Sequence, residues 1–345
     1  MNKHLVNSNI SVRDALIKLD ELASNSILFI VENNKLIGTL TDGDLRRGFI
    51  KGLDFNNSIL DFTNKTPSFI YENEYDVEKL EVFKKKNLRV IPVIDSNYNI
   101  IDIINFNHIT SRLPLDAVLM AGGEGKRLRP LTENTPKPLI KVGDKPIIEY
   151  NIDRLKKAGV KNIHISINYL GEQIENYFGT GEEKNLKIKY IKEDKPLGTV
   201  GSILLADEII HEDILLMNSD LLTNIDFVDF YKVYKSSGAD MAVASTLYNV
   251  DIPYAILETD ENNYVKQLKE KPKYSYYSNA GIYILNSNLI KLIPKNTFYD
   301  ITDLMDKIIS LNRKIITFPI NGYWLDIGKH DDYKKAQEDI KHLNI

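Results

Sequence analysis

The stretch AVLMAGGEGKRLRPLTENTPKPL, Ala117 to Leu139, decides the reading of this chain. Leu115, Ala117, Val118, Leu119 and Met120 read as a short buried strand. Gly122, Gly123 and Gly125 follow at its end, then the cations Lys126, Arg127, Arg129 and Lys137. Glycines there let the backbone approach a ligand and take positive φ at little cost. Their N–H groups can form a nest for phosphate oxygens. The loop is not G-x-G-x-x-G, because Leu128 stands where the third glycine belongs. It is not a P-loop, because Met120 stands five residues before Gly125 and no Ser or Thr follows Lys126. A solvated surface turn accounts for the charges but not for three glycines directly after a buried strand.

Around that stretch, composition sets bounds. The chain has 345 residues, enough for two or three domains, and a net charge of −4. No global field favours nucleic acid or an anionic membrane, so an anionic ligand must be held by local cations. Cysteine is absent, which excludes disulfides, thiolate metal sites and a cysteine nucleophile. No apolar run reaches the ~18 residues of a membrane span, and no signal-peptide core is present. A cytoplasmic location is expected.

Upstream, residues 1–112 hold a weak repeat. One copy runs through Ser11–Leu22 (helix), Ile27–Val31 and Lys35–Leu40 (strands) and Asp42–Lys51 (helix). The other runs through Val77–Lys86, Arg89–Ile94 and Ile100–Ile104. Repeated units usually pack on one another to share a core. Asp42 is expected to cap the helix it opens. Pro114 marks the junction, since it pushes the preceding residue toward extended backbone. The expected domains are 1–112 and 113–345.

Downstream, apolar strands (Ile163–Ile167, Ile188–Ile191, Ile214–Met217) alternate with helices (Ile147–Ala158, Glu172–Phe178, Phe227–Ser236). Such alternation predicts an α/β fold with a mainly parallel, Rossmann-like sheet whose ligands sit beyond the strands' carboxyl ends. Asp220, at the end of LLMNSD, falls at that edge with the glycine loop. Asp326 lies in the aromatic turn GYWLDIG. Two carboxylates plus substrate phosphates suit Mg²⁺.

The loop resembles the G-G-x-G-x-R-L-x-P-L-T … P-K-P signature of sugar-1-phosphate nucleotidyltransferases, here Gly122 to Thr132 and Pro136-Lys137-Pro138. The resemblance implies a GT-A-like fold. It places nucleotide binding on Ala121, Gly122, Gly123, Gly125, Lys126 and Arg127, and gives Arg127 and Lys137 the phosphate charge. Asp220 and Asp326 become the Mg²⁺ ligands, although the usual G-D is Ser219-Asp220 here. Lys195–Gly201 is similar to the P-L-G-T-A-G segment, so Pro196, Gly198 and Thr199 border the nucleotide. Thr199 is also expected to cap the helix it opens. Glu270-Lys271-Pro272 is similar to E-K-P, where Glu holds sugar hydroxyls and Lys the sugar phosphate. Asn279 and Gly281, in N-x-G-x-Y, border the sugar. The left-handed β-helix of some relatives has no counterpart in this sequence.

Gly38 to Arg46 resembles the G-h-x-[ST]-x-x-D-h-x-R stretch of CBS domains, which implies an α+β tandem CBS module. There Thr41 and Asp44 would bind a nucleotide ribose. The second copy has Asp102, Asn105 and His108 at the matching positions. The resemblance implies a homodimer through the CBS pair and a regulatory nucleotide. The combined architecture resembles guanylyltransferases of bacterial surface-sugar pathways. It implies transfer from GTP to a sugar 1-phosphate such as glucosamine 1-phosphate. UTP, dTTP or CTP enzymes, phosphocholine-type cytidylyltransferases included, stay open. So does a nucleotide sensor with an inactive transferase domain.

Overall fold

The computed structural model describes residues 2–72, 74 and 76–343. The chain divides into two compact units, residues 1–112 and 113–345.

In the first unit each repeat copy builds a three-stranded sheet of one plan. Leu5–Asn7 runs parallel to Ile27–Glu32, which pairs antiparallel with Lys35–Thr41. Ile70–Tyr71 runs parallel to Val90–Ile94, which pairs antiparallel with Ile100–Asn105. The two hairpins even share a bulge: Ile30 faces Gly38 and Val31 faces Leu36, as Val93 faces Asp102 and Ile94 faces Ile100. The opening strand of each copy is absent from the repeat read in the sequence. At three and two residues these strands are too short for a period-2 signal. Phe29, Leu36, Val90, Ile94 and Ile100 form a core common to both copies.

The expected cap at Asp42 is corrected. Thr41 is the N-cap, and its hydroxyl accepts the Asp44 N–H while the Asp44 carboxylate accepts the Thr41 N–H. This reciprocal capping box leaves Asp42 as the first helical residue.

The second unit is built on a seven-stranded sheet. Leu115–Met120 lies inside it, parallel to Asn162–Ile167 on one side and Asp213–Asn218 on the other. Lys187–Lys192 extends the parallel run. Lys273–Asn286 then enters antiparallel, between Asp213–Asn218 and Met241–Asp251. Ile315–Pro319, parallel to Met241–Asp251, completes the sheet. The fully buried Val118, Ile214, Leu285 and Leu304 sit in the core of one layer. A second cluster, with Leu128, Val142, Leu222 and Ile327, lies beneath the glycine loop's continuation.

Two strands leave the sheet. Met241–Ala244 and Ala280–Leu285 are buried, but Leu247–Asp251 and its partner Lys273–Asn279 are mostly exposed. Beyond them a hairpin forms from Ile256–Thr259 and Val265–Lys269. Together they make a two-stranded arm.

Candidate active site

The glycine loop starts where the central strand ends. Its neighbour strand finishes level with it, since Asn218 pairs with Met120. Ser219 then donates both its N–H (3.2 Å) and its hydroxyl (2.6 Å) to the Met120 carbonyl. Serine in place of the usual glycine therefore ties the Asp220 turn to the loop's root. Ala121 is buried, and its N–H donates to the Ser166 carbonyl at 2.9 Å.

Within the loop, Gly125 is required by space as well as by backbone. Its φ is +63°, and a Cβ there would lie 2.9 Å from Thr132 Cγ2 and 3.0 Å from Lys137 Cβ. The Thr132 hydroxyl donates to the Gly125 carbonyl at 2.9 Å, folding the loop back on the segment that carries Lys137. Gly123 is open on all sides. Lys126 and Arg129 are exposed and lie 3.1 and 3.7 Å from the Glu124 carboxylate.

The two aspartates come from segments far apart in sequence. Leu221–Thr223 pairs antiparallel with Trp324–Asp326, and Leu221 faces Asp326. Register thus sets Asp220 beside Asp326, and the Ile327 N–H donates to the Asp220 carbonyl at 3.1 Å. Lys137 Nζ donates to Asp220 Oδ2. Burial and the Asp220 charge push the Asp326 carboxyl above the usual carboxylate range, while Lys137 and Arg127 pull it back. Arg127 also lies over Gly328, its guanidinium 3.6 Å from where a Cβ would stand. Asp326 Oδ1 is buried with no hydrogen-bond partner. A buried carboxylate oxygen that accepts no hydrogen bond, beside a second carboxylate, fits a divalent cation, which would supply the missing partner.

Other expected residues are placed differently. Gly198 has φ +79°, but a Cβ there would strike the Tyr299 carbonyl oxygen at 2.6 Å. The close approach expected of a ligand is filled by the chain itself. Thr199 does not cap its own helix, which is a correction. Its hydroxyl accepts the Ile301 N–H at 2.7 Å, and its own N–H donates to Asp300 Oδ1 at 3.0 Å. It thereby joins the start of Gly198–Gly201 to the start of Ile301–Ser310, whose N-cap is Asp300. Pro196 is exposed beside them.

Asn279 and Gly281 lie by the Asp220 strand. A Cβ on Gly281 would lie 2.7 Å from Asn218 Nδ2, and Asn279 Oδ1 accepts the Gly281 N–H at 2.9 Å. Trp324 Nε1 donates to the Ala280 carbonyl, linking this strand to the Asp326 turn. Glu270 and Lys271 instead stand on the arm, where its hairpin rejoins the long strand. Lys273 is six residues from Asn279 along that strand, about 20 Å at strand rise. Lys271 is exposed, with φ +41°.

One residue beside the loop escaped the sequence reading. Glu193 Oε1 accepts from the Ser166 hydroxyl, and Oε2 accepts the Leu197 N–H at 3.0 Å. Oε1 also lies 3.1 Å from where a Cβ on Gly122 would stand. The only signal was an acid shortly before Pro196-Leu197-Gly198. Thr41 and Asp44, in the first unit, are engaged with each other, and Asp44 Oδ1 accepts from Arg47 Nη2 at 2.6 Å.

Comparison with known proteins places the chain in a family. A family model described as nucleotidyl transferase matches residues 116–342. The chain belongs to the nucleotidyl transferase family. A CBS-domain model matches residues 1–51. Among curated relatives, a protein named mannose-1-phosphate guanyltransferase from Debaryomyces hansenii is 32% identical over 234 residues, 64% of this chain. The aligned region spans only 62% of that relative's length. Among solved structures, HddC from Yersinia pseudotuberculosis aligns with TM-score 0.52 and 28% identity, covering 66% of this chain and 99% of that one. A second HddC structure, complexed with GMP-PN, aligns with TM-score 0.51 and 26% identity over 66% of this chain and 99% of that one. No described helix of this nucleotidyl transferase family member is long and apolar enough to cross a membrane.

Proposed function

We propose that the second unit transfers a nucleotidyl group from GTP to a sugar 1-phosphate, releasing pyrophosphate. The observation that carries this reading is the convergence of the Gly122–Gly125 loop, Arg127, Lys137, Asp220 and Asp326 at one sheet edge. A sensor with a dead transferase domain needs none of these side chains together.

A phosphate oxygen of the sugar phosphate attacks the α-phosphorus, and the bond to the pyrophosphate oxygen breaks in line. The attacking oxygen is ionised near neutral pH, so no general base is required. The protein supplies position and charge, as in phosphoryl transfer generally. Arg127 and Lys137 offset charge on the reacting phosphates. Lys137 gives up its pairing with Asp220 as the triphosphate enters. Asp220 and Asp326 would hold Mg²⁺, which would supply neutralisation of the triphosphate charge. Lys271 would meet the sugar phosphate and Glu270 the sugar hydroxyls, which requires the arm's root to approach Asn279. Ala121, Gly122, Gly123, Gly125 and Lys126 border the nucleotide, with Pro196 beside them, while Gly198 and Thr199 hold that segment to the start of Ile301–Ser310.

Guanine is supported by the names of the relatives and by the GMP-PN complex of HddC. The same names make mannose 1-phosphate the first sugar to try and glucosamine 1-phosphate the second. We read all of residues 1–112 as a CBS pair on the strength of its two like-built sheets. A regulatory nucleotide and a cytoplasmic location belong to the same reading. Pyrophosphate release, measured with each of GTP, UTP, dTTP and CTP against a panel of sugar 1-phosphates with Mg²⁺, tests it. GTP is expected to exceed the others at least tenfold with one hexose 1-phosphate. Equal turnover with UTP or dTTP would overturn the base assignment, and no release with any pair would overturn the reaction.

A further inference from the structure

The helix Ile147–Lys157 carries a polar side chain where its pattern calls for an apolar one. Ile147, Ile148, Asn151 and Leu155 follow helical spacing along one face, and all four are fully buried. Asn151 Nδ2 donates to the Leu221 carbonyl at 2.9 Å and lies 3.5 Å from the Ser219 carbonyl. Both partners only accept, so the amide end is the one that must face them. Asn151 Oδ1 is buried with no hydrogen-bond partner among the described residues. An orphaned acceptor in the core is destabilising, and a leucine at this position would avoid it. What the asparagine adds is its donor.

That donor acts on both sides of Asp220. Leu221–Thr223 pairs with Trp324–Asp326 in a two-stranded sheet, so its outer edge has no strand to satisfy it. The Asn151 amide fills that place at Leu221. Three carbonyls in sequence, those of Ser219, Asp220 and Leu221, thus meet the Asn151 amide, the Ile327 N–H and the Asn151 amide again. One turn along the helix, Arg154 Nη2 donates to the Ile225 carbonyl, so the same helix holds this segment at both ends. The start of the helix is tied to the other charged group. The Ile147 N–H donates to the Ile140 carbonyl at 3.0 Å, just past the Lys137 turn. Ile147 and Tyr150 also pack in one cluster with Leu222 and with Ile327, the residue after Asp326.

We propose that Asn151 is a positioning residue for Asp220. Its amide fixes the backbone on either side of that residue and so holds the Asp220 carboxylate against Asp326 and Lys137 before a ligand arrives. Without the amide, the peptide planes flanking Asp220 are free to rotate on that edge and carry the carboxylate with them. A divalent cation with strict octahedral demands penalises such freedom in its oxygen donors. Groups that orient a metal's ligands are worth about tenfold to a hundredfold in metal affinity or activity. This inference rests on the proposed reading of Asp220 and Asp326 as the metal-holding pair.

The test is Mn²⁺ binding to the full-length protein without nucleotide, read from the electron paramagnetic resonance signal of the free ion. The Mg²⁺ dependence of pyrophosphate release is measured beside it. Asn151→Leu removes both the donor and the orphaned acceptor at similar volume, and Asn151→Ala removes them without overpacking. Each is expected to weaken Mn²⁺ binding about tenfold and to raise the Mg²⁺ needed for half-maximal rate by a similar factor, with the KM for the sugar phosphate within about twofold of wild type. Asp213→Asn is the structural control. Asp213 is buried at the far end of the strand that leads to Asp220, where it accepts from Tyr231, Tyr234 and Lys235. That variant is expected to melt earlier yet bind Mn²⁺ as wild type does. Wild-type Mn²⁺ binding that Asp220→Asn leaves unchanged overturns the metal reading and this inference together. Where Asp220→Asn abolishes binding, equal Mn²⁺ constants in wild type and both Asn151 variants overturn the role of Asn151 alone. So does a weakening in Asp213→Asn as large as theirs, which would make the effect one of general loosening.

Discussion

Asp326 concentrates the chemistry of the site in one side chain. Its Oδ1 is buried and unpartnered, and its carboxyl is destabilised by burial and by Asp220. Under the proposed function, a group kept at such a cost serves binding rather than folding. Asp326→Asn should therefore lower kcat at least 100-fold, in line with the ~3–4 kcal/mol that a preorganised charge contributes. The same variant should leave the melting temperature within about 2 °C of wild type, since it removes an unpaired buried charge. Pyrophosphate release and thermal unfolding on one preparation read both. A drop of more than 5 °C would make Asp326 a structural residue instead. At this scale the sequence was legible for Arg127, Lys137, Asp220 and Asp326, because each sits in a motif whose residue types constrain one another. Glu193 was not, since a single acid in a charged segment has no pattern until the fold sets it against Gly122.

Among the elements, the loop from Gly122 to Lys137 is the one whose backbone and chemistry are inseparable. The left-handed φ at Gly125 and its 2.9–3.0 Å approach to Thr132 and Lys137 leave no room for a methyl group. Gly125→Ala should cost about 1–2 kcal/mol of backbone strain and displace Lys137. We expect a kcat loss exceeding the change in stability, measured by comparing turnover with the urea midpoint. Equal turnover would mean that Lys137 needs no fixed position. Most helices and buried strands of six or more residues were readable from their periods, but the strand Met241–Asp251 and the helix Ile301–Ser310 went unread. The two short opening strands of the repeat were not, and neither was the Thr199–Asp300 junction. That junction joins positions a hundred residues apart, and local capping rules assigned Thr199 to the wrong helix. The arm escaped notice because its apolar residues alternate without burial, so pattern alone cannot say that they leave the core.

At the scale of the whole molecule, the catalytic unit is anchored at the end of the sheet opposite the loop. Asp116, buried at the start of the central strand, accepts the Ile210 and His211 N–H groups at 2.7 and 2.8 Å. Burial pushes its carboxyl up, but the hydrogen bonds from His211 and Ile210 outweigh it and hold the group below the usual carboxylate range. A depressed carboxyl stabilises the fold fully above its unfolded value. That contribution is lost as pH falls through the folded value. Asp116→Asn should then lower unfolding free energy at pH 7 by about 2–3 kcal/mol and flatten the wild-type loss of stability on acidification. Urea titrations from pH 7 down to 3 check both, and a variant as acid-sensitive as wild type would rule the linkage out.

The pairing of Leu221–Thr223 with Trp324–Asp326 also has a temporal consequence. A chain emerging from the ribosome holds the loop, Lys137 and Asp220 long before it holds Asp326. Until the later strand is made, Asp220 lacks its carboxylate neighbour. The two side chains therefore come together only through this pairing of distant strands, and not through local chain geometry.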